Sequence, residues 1–195
     1  ASRAVEKKDA KILDLCTGTA ELALAFSKRL SGKGRVIGVD FSRGMLELAR
    51  KKLERRDPAG KISLFVGNAE KLSFRENTFD YVTSGFSMRN LIDLDQGLKE
   101  MHRVLKPGGL AVIIEINRPT HRLTGFFYRC YLKGAIPLIG LLTVGTVSPF
   151  LYLKNSVLGF QTPSEFCGRL RAAGFREVSF KPFAPGAIGL YCATK

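Results

Sequence analysis

Two carboxylates and a turn of small residues near the start of the chain have the types and spacing of a nucleotide-binding site. The chain reads KILDLCTGTAEL from Lys11, so an apolar run passes through small residues into a helical pattern. Asp14 lies just before this turn, and Asp40 lies 26 residues further on, at the end of the next apolar run. Asp40 can accept hydrogen bonds from two adjacent ribose hydroxyls, whereas Asp14 disfavours a phosphate and suits a cationic ligand.

The same turn argues against the commonest nucleotide ligands. Gly18 is its only glycine, so the G-x-G-x-x-G pattern that presses backbone against a pyrophosphate is missing. The chain also lacks the phosphate-binding pattern G-x-x-x-x-G-K-S/T, which disfavours ATP and GTP.

Composition sets the class of protein and the chemistry of its surroundings. With 195 residues, of which 45% are hydrophobic, we expect one domain with a sizeable core. The 31 Lys and Arg residues against 17 Asp and Glu residues give a net charge of +14. This charge indicates an anionic partner, either nucleic acid or acidic lipid; the alternative is a solvated basic face with no specific partner. The four scattered cysteines and two histidines predict no metal site, and reduced thiols fit a cytosol-like compartment.

Apolar runs alternate with helical patterns, which predicts a parallel sheet covered by helices on both faces. The predicted strands are residues 11–15, 35–40, 62–66, 79–84, 110–116, 175–181 and 188–194. The predicted helices are residues 21–30, 43–56, 94–105 and 164–173. Because only a short Pro/Gly segment separates the last two strands, they should form a hairpin, with the last strand antiparallel. The predicted fold is therefore a doubly wound, mostly parallel seven-stranded α/β sheet, and such sheets bind ligands at the carboxyl ends of their strands.

One segment, residues 119–161, departs from this alternation and is predicted as a helical apolar insertion before the terminal hairpin. Within it, residues 134–153 form an uncharged run of 20 residues, nominally long enough to cross a bilayer. Pro137 and Pro149 would interrupt a spanning helix, so we favour a buried or membrane-facing helical hairpin over a span.

Five landmarks resemble those of class I S-adenosylmethionine-dependent methyltransferases in order and spacing. They are the DLCTGTA turn from Asp14, Asp40 itself, the sequence GNAE from Gly67, the pair Phe79-Asp80 and the sequence RVLKPGG from Arg103. The chain departs from the family pattern at Cys16 and Ala20, where glycines are usual, and at Asn68, where an adenine-binding Asp is usual. The resemblance implies a Rossmann-like fold and S-adenosylmethionine as cofactor, with S-adenosylhomocysteine as its product.

The resemblance also implies which residues bind the cofactor. Asp40 would bind the ribose, and Asn68-Ala69 would lie at the adenine. The other expected residues are Phe41 and Met45 around the adenine, Gly18 and Thr19 near the methionine, and Asp14, Thr17 and Gly85 elsewhere in the same pocket.

Two further motifs are similar to those of the quinone-biosynthesis C-methyltransferases, which act on demethylmenaquinol or 2-polyprenyl-benzoquinol. The sequence FSMRN from Phe86 stands where that family has F-G-L/M-R-N, and FLYLKNS from Phe150 stands where it has Y-x-Y-L-x-x-S. The base-clamping motif N/D-P-P-Y/F of nucleic-acid methyltransferases is missing after strand four, which disfavours a nucleic-acid substrate. The resemblance implies a prenylated quinol as substrate; the alternatives are an RNA or other small-molecule methyltransferase, or a binding protein without activity.

Arg89 and Asn90, at the end of FSMRN, are the expected catalytic residues. A ring carbon becomes nucleophilic when the neighbouring hydroquinone hydroxyl loses its proton; Arg89 could stabilise that phenolate while Asn90 orients the ring. The alternative is that Arg89 only pairs with an acid such as Asp93. His121 and Tyr152 are further candidates for the acceptor pocket, although either could be structural.

The apolar insertion and the positive charge suggest how a membrane-soluble quinol is reached. The insertion would form a lid, and nearby basic residues would rest on acidic lipid. These basic residues are Arg118, Arg122, Arg129 and Lys133. We therefore expect a single-domain enzyme over residues 1–195, in the cytoplasm or an organelle matrix and peripherally attached to the membrane. A homodimer interface or core packing is the alternative use of the insertion.

Overall fold

A seven-stranded sheet with helices on both faces makes up the described part of the protein. The computed structural model describes residues 7–117, 148–183 and 188–195. The strands are β1 (Lys11–Leu15), β2 (Arg35–Asp40), β3 (Ile62–Val66), β4 (Phe79–Gly85), β5 (Leu105–Ile116), β6 (Val178–Phe183) and β7 (Ile188–Thr194). The helices are α1 (Glu21–Ser27), α2 (Arg43–Arg56), α3 (Leu94–Val104), α4 (Ser148–Gly159) and α5 (Pro163–Ala172), and a short 3₁₀ helix spans Met88–Asn90.

The order of the strands defines where a ligand can bind. They lie in the order β3-β2-β1-β4-β5-β7-β6. β7 runs antiparallel to both of its neighbours, and the other pairings are parallel. Strand order reverses between β1 and β4, and a crevice therefore forms at the carboxyl ends of these strands. The predicted fold class, a doubly wound and mostly parallel sheet with an antiparallel last strand, is confirmed.

Side chains that alternate along β1 show why both faces of the sheet need helices. Leu13 is fully buried in one core cluster, together with Met101 of α3 and Phe166 of α5. Ile12 points to the opposite face, where it belongs to a second cluster with Phe26 of α1. Since neither face of β1 meets water, its apolar sequence reads as a continuous run.

Two helix starts near the crevice are set by polar caps. The Ser42 hydroxyl accepts a hydrogen bond from the Met45 N–H at 3.4 Å and begins α2, and Asp93 accepts one from the Gln96 N–H at 3.0 Å and begins α3. These caps satisfy backbone donors that a helix leaves free at its first turn.

Four predicted boundaries differ from the structure by two residues or more. β5 begins at Leu105 rather than residue 110 and β6 begins at Val178 rather than residue 175, while the other two have local reasons. α1 ends at Ser27 rather than residue 30, because the chain tightens into a turn in which the Leu30 N–H donates to the Ser27 carbonyl. β6 was expected to end at residue 181, but it continues through Pro182. Proline is tolerated there because β6 is an edge strand, where a missing N–H breaks no ladder bond on the open side.

Most of the predicted insertion lies outside the described residues. This holds for His121, Arg122, Arg129, Cys130, Lys133 and Pro137, and for Arg118 just before the insertion, so the expectations about a lid at residues 119–161 stay predictions. Its last part forms α4, which the sequence analysis did not separate as a helix of its own. Of the helices in the described ranges, none is long and apolar enough to cross a bilayer.

Candidate functional site

A cavity of about 680 Å³ opens at the carboxyl ends of β1, β2 and β4. Its volume is typical of small-molecule and cofactor sites. The predicted cofactor residues that line it are Thr17, Gly18, Asp40, Phe41, Met45, Asn68, Ala69 and Gly85. Asn90, one of the two expected catalytic residues, lines the same cavity. The sequence therefore placed residues from four separate segments at one site.

The turn of residues 16–20 forms one wall of this cavity with an unusual backbone. The angle φ is 52° at Cys16, 55° at Gly18 and 64° at Ala20, all in the left-handed region. A left-handed backbone costs a residue with a Cβ roughly 1–2 kcal/mol, which glycine avoids. Cys16 and Ala20 therefore follow the backbone path of a glycine-rich turn, and this conformation is strained at both residues.

Two contacts hold the turn against this strain. The Thr17 N–H donates to the Val39 carbonyl of β2 at 3.0 Å. The Lys52 ammonium of α2 donates to the Thr19 carbonyl at 2.8 Å and to the Glu21 carboxylate at 2.6 Å. Thr19, an expected cofactor residue, thus turns its carbonyl toward α2.

Asp40 connects the turn to the start of α2. Its Oδ2 accepts a hydrogen bond from the Gly18 N–H at 2.8 Å, and its Oδ1 accepts one from the Ser42 N–H at 2.9 Å. The side chain is buried at the cavity wall. Each carboxylate oxygen has a second lone pair, so the group can still accept from two hydroxyls of a bound ribose.

Asp14 lies behind the turn, fully buried, instead of on the cavity surface. Its Oδ2 accepts from the Thr17 hydroxyl at 2.6 Å and its Oδ1 accepts from the Thr83 hydroxyl at 2.7 Å. Burial raises the pKa of Asp14 to about 6, although the two hydroxyl hydrogen bonds and a backbone contact oppose the rise. Asp14 therefore supports Thr17 from below and holds a titratable carboxyl behind the cavity.

The side of the cavity expected to hold the adenine is open and apolar. Phe41 is 80% exposed and Met45 is 39% exposed, and both line the cavity. The Asn68 Oδ1 accepts from the Glu70 N–H at 2.8 Å and keeps one lone pair free for a ligand. A flat aromatic ligand would cover the two exposed side chains and meet this amide.

The loop after β4 forms the opposite wall. Gly85, Phe86, Ser87 and Asn90 all line the cavity. Phe86 has φ of 59°, another left-handed backbone at a residue with a large side chain. Strain of this kind persists only where surrounding contacts determine the conformation, and it clusters at functional sites.

Arg89 points away from this cavity and is held in a buried ion pair. Its Nη1 lies 2.6 Å from Oε1 of Glu115, and its side chain is 10% exposed. The alternative partner considered for Arg89, Asp93, instead caps α3. Arg89 lines a neighbouring cavity of about 420 Å³ together with Ser156 of α4. Whether Arg89 takes part in catalysis stays a prediction.

Glu115 is the functional candidate that the sequence analysis missed. It is fully buried in β5, and burial raises its pKa, while the charge and hydrogen bonds of Arg89 lower it. A signal was available, because Glu115 is the only charged residue in the run from Gly108 to Asn117. A carboxylate inside an apolar strand needs a cationic partner, and an arginine in a neighbouring loop is the natural choice.

Tyr152 of α4 reaches the cavity through Asn90. The Tyr152 hydroxyl donates to the Asn90 Oδ1 at 2.9 Å. This contact places the described end of the insertion beside the expected catalytic amide.

Across residues 7–117, 148–183 and 188–195, no group of three or more His, Cys, Asp or Glu side chains could hold a metal ion. Cys16, Cys167 and Cys192 are free thiols, and burial raises the pKa of Cys16 to about 11. Cys16 therefore lines the cavity as a neutral thiol.

Comparison with known proteins agrees with this geometry. The demethylmenaquinone methyltransferase of Geobacillus kaustophilus is 39% identical over 191 residues, which cover 97% of this chain and 80% of that protein. The ubiquinone/menaquinone biosynthesis C-methyltransferase UbiE of Geobacter sulfurreducens is 38% identical over 185 residues, which cover 95% of this chain and 72% of that protein.

Solved structures show the same fold. A SAM-dependent methyltransferase from Aquifex aeolicus has a TM-score of 0.71 at 19% identity, with 98% of this chain and 85% of that chain covered. The family model described as the ubiE/COQ5 methyltransferase family matches residues 1–195. The chain therefore belongs to the ubiE/COQ5 methyltransferase family.

Proposed function

We propose that this protein transfers a methyl group from S-adenosylmethionine to a ring carbon of a prenylated hydroquinone of the demethylmenaquinol or benzoquinol type. The names of its relatives support this reaction. The observation that carries the proposal is that Asp40 and Asn90 line one cavity. A ribose-binding carboxylate and an amide suited to orienting an acceptor therefore face a shared space.

The residues of the cavity fit S-adenosylmethionine. Asp40 offers free lone pairs for two ribose hydroxyls, and Phe41 offers an exposed aromatic face for the adenine. The buried carboxyl of Asp14 lies behind the turn, where negative charge favours a cationic sulfonium over a phosphate. When bound, the cofactor supplies an electrophilic methyl group on this sulfonium.

The protein contributes mainly position and exclusion of water. Methyl transfer is an in-line displacement, so the acceptor carbon must be held in line with the methyl group and its leaving sulfur. The loop from Gly85 to Asn90 is the wall that can hold the acceptor, because its amide faces the cavity and Tyr152 fixes that amide. The buried surroundings keep competing water away from the methyl group.

The acceptor hydroxyl must lose a proton for the ring carbon to become nucleophilic. In the paired position seen here, the Arg89 guanidinium points away from the cavity, so its expected role of stabilising the phenolate, or of orienting a water that takes the proton, requires that it turn toward the bound acceptor. The ion pair with Glu115 compensates part of the positive charge of Arg89. Stabilisation of a phenolate by Arg89 would therefore depend more on the orientation of its N–H groups than on its net charge.

Incubation with methyl-labelled S-adenosylmethionine tests the proposal. The acceptors are demethylmenaquinol in detergent micelles and, separately, total RNA, followed by extraction with an apolar solvent. Label in the apolar extract, at the mass of a methylated quinone, supports quinol methylation. Label in the aqueous RNA fraction would instead support the RNA alternative, and no label in either would contradict both.

A membrane surface is the proposed partner of this reaction, because a prenylated quinol is membrane-soluble. The net charge of +14 suits acidic lipid. Leu151 and Tyr152 of α4 are exposed, where they can meet an apolar phase, and Tyr152 contacts Asn90 of the cavity. Peripheral attachment would bring the cavity to the quinol without a spanning helix.

A further inference from the structure

Glu115 holds both the backbone and the side chain of Arg89. Its Oε1 accepts from the Arg89 Nη1 at 2.6 Å and from the Ile116 N–H at 2.8 Å. Its Oε2 accepts from the Arg89 N–H at 3.3 Å. One fully buried carboxylate at the end of β5 thus fixes a residue of the loop after β4 at two points.

Arg89, held in this way, in turn holds the backbone of Phe86. Its Nη1 also donates to the Phe86 carbonyl at 2.5 Å, while the Phe86 N–H donates to the Ile114 carbonyl of β5 at 2.7 Å. Both backbone polar groups of Phe86 are therefore fixed, and these bonds hold its left-handed backbone in place. Without Glu115, the arginine would lose the anchor that directs it to this carbonyl.

The loop fixed in this way forms the cavity wall, although Glu115 itself does not line the cavity. Phe86 and Asn90 line it, and Asn90 also accepts the hydrogen bond from Tyr152. A shift of the loop would therefore move the amide that faces the acceptor. Asp40, the expected ribose ligand, is held instead by the Gly18 and Ser42 N–H groups, which belong to other segments of the chain.

We propose that Glu115 is a positioning residue for methyl transfer, which acts through Arg89 to hold the Phe86–Asn90 loop in the geometry that orients the quinol ring. The inference rests on the proposed function. It predicts that loss of the carboxylate lowers kcat more than it lowers cofactor binding, since a misplacement of about 1 Å at a reacting group can cost on the order of 100-fold in rate.

The test compares three variants with the wild-type enzyme. Glu115→Gln keeps the size of the side chain and removes its charge, and Glu115→Asp keeps the charge on a shorter side chain. Glu100→Gln is the matched control, because Glu100 is also a buried carboxylate in an ion pair with an arginine, Arg103 at 2.6 Å. Glu100 lies on α3 and does not line the cavity.

Thermal unfolding, calorimetry with S-adenosylhomocysteine, and kcat and KM for demethylmenaquinol are measured for each. We expect Glu115→Gln to lower kcat roughly 10- to 100-fold with the cofactor Kd changed less than about threefold, and Glu115→Asp to recover part of the rate. Glu100→Gln should lower the melting temperature and leave kcat unchanged.

Three results would overturn the inference. The first is an unchanged kcat in folded Glu115→Gln, and the second is a loss of kcat and of cofactor affinity in equal proportion. If Glu115→Gln does not fold, the third is an unchanged kcat in a destabilised Glu115→Asp. A wild-type enzyme that binds the cofactor and methylates no quinol would instead contradict the proposed function itself.

Discussion

At the scale of single residues, the carboxylates of this site divide their work by depth. Asp40 lies at the cavity wall and accepts backbone N–H groups from both sides, so it organises the site before a ligand arrives. Asp14 lies deeper and accepts from the hydroxyls of Thr17 and Thr83. Their depths therefore suit Asp40 to direct contact with a ligand and Asp14 to an electrostatic effect from behind the cavity wall.

Replacement of Asp40 should weaken cofactor binding. Asp40→Asn removes the charge and one acceptor but keeps the size, and the loss of hydrogen bonds to a charged group is worth about 1.5–3 kcal/mol, or roughly tenfold or more in Kd. Calorimetry with S-adenosylmethionine measures this change. The control is Asp57→Asn, because Asp57 also accepts a backbone N–H, that of Ile62 at 2.8 Å, at the far end of α2. Equal affinity in both variants would remove Asp40 from the site.

Asp14 should make stability depend on pH in an unusual direction. Its pKa is raised to about 6 in the folded protein by burial, so the folded state binds this proton more tightly than the unfolded state does. The stability it contributes is complete below about pH 4 and is lost as the pH rises through about 6, by roughly 3 kcal/mol in all.

Urea unfolding of wild type and Asp14→Asn between pH 4 and 7 isolates this effect. The wild type should lose stability relative to the variant as the pH rises, because asparagine does not titrate. Parallel curves for the two proteins would show that Asp14 is already ionised in the folded state at pH 4. The subtraction is needed because paired carboxylates such as Asp80, whose pKa is lowered to about 2, act in the opposite direction.

At the scale of elements, the strands of the sheet were predictable and the contacts that strain the site were not. β1, β2, β3 and β7 have the predicted bounds, because each is a short, mostly apolar run ended by polar or turn-forming residues. The turn after β1 was recognised by its small residues. That Cys16 and Ala20 take up glycine-like angles could not be read from the sequence, since only long-range contacts hold them there.

The Arg89–Glu115 ion pair could not be predicted from the sequence either. The two residues are 26 positions apart and come together only because β4 and β5 are neighbours in register, with Gly85 opposite Ile114. Sequence spacing favoured the nearby Asp93 as a partner, but helix capping uses that side chain. Local rules therefore singled out the Phe86–Asn90 loop and missed the distant residue that fixes it.

α2 should act as a brace for the strained turn through Lys52. Lys52→Met removes the hydrogen bond to the Thr19 carbonyl and the ion pair with Glu21, so the left-handed turn loses a support. We expect cofactor affinity to fall about three- to tenfold, in line with one charged hydrogen bond to a partly exposed group. The control is Lys51→Met, which changes the same charge on an exposed neighbour in the same helix. An equal effect of both variants would mean that net charge, and not the brace, governs binding.

At the scale of the whole molecule, charge and apolar surface combine on a protein that must meet a membrane-soluble acceptor. The +14 charge attracts acidic headgroups over a distance set by screening, about 8 Å at physiological salt and 3 Å at 1 M. Leu151 and Tyr152 expose apolar surface on α4, and Tyr152 contacts Asn90 of the cavity. Neither feature alone gives stable attachment, and together they favour reversible binding.

Sedimentation with vesicles should therefore depend on salt and on lipid charge. We expect the protein to pellet with vesicles that contain phosphatidylserine at low salt and to be released at 1 M salt, because screening removes the electrostatic attraction and leaves only a modest apolar contact. Vesicles of phosphatidylcholine alone are the control and should bind little. Leu151→Ser should lower binding to the acidic vesicles with little change in its salt dependence, because it removes apolar area and no charge.

Protein that pellets at every salt concentration and needs detergent for release would indicate an inserted segment. Protein that never pellets would assign the apolar residues of the insertion to core packing or to a dimer interface, since the charge would then have no lipid to meet.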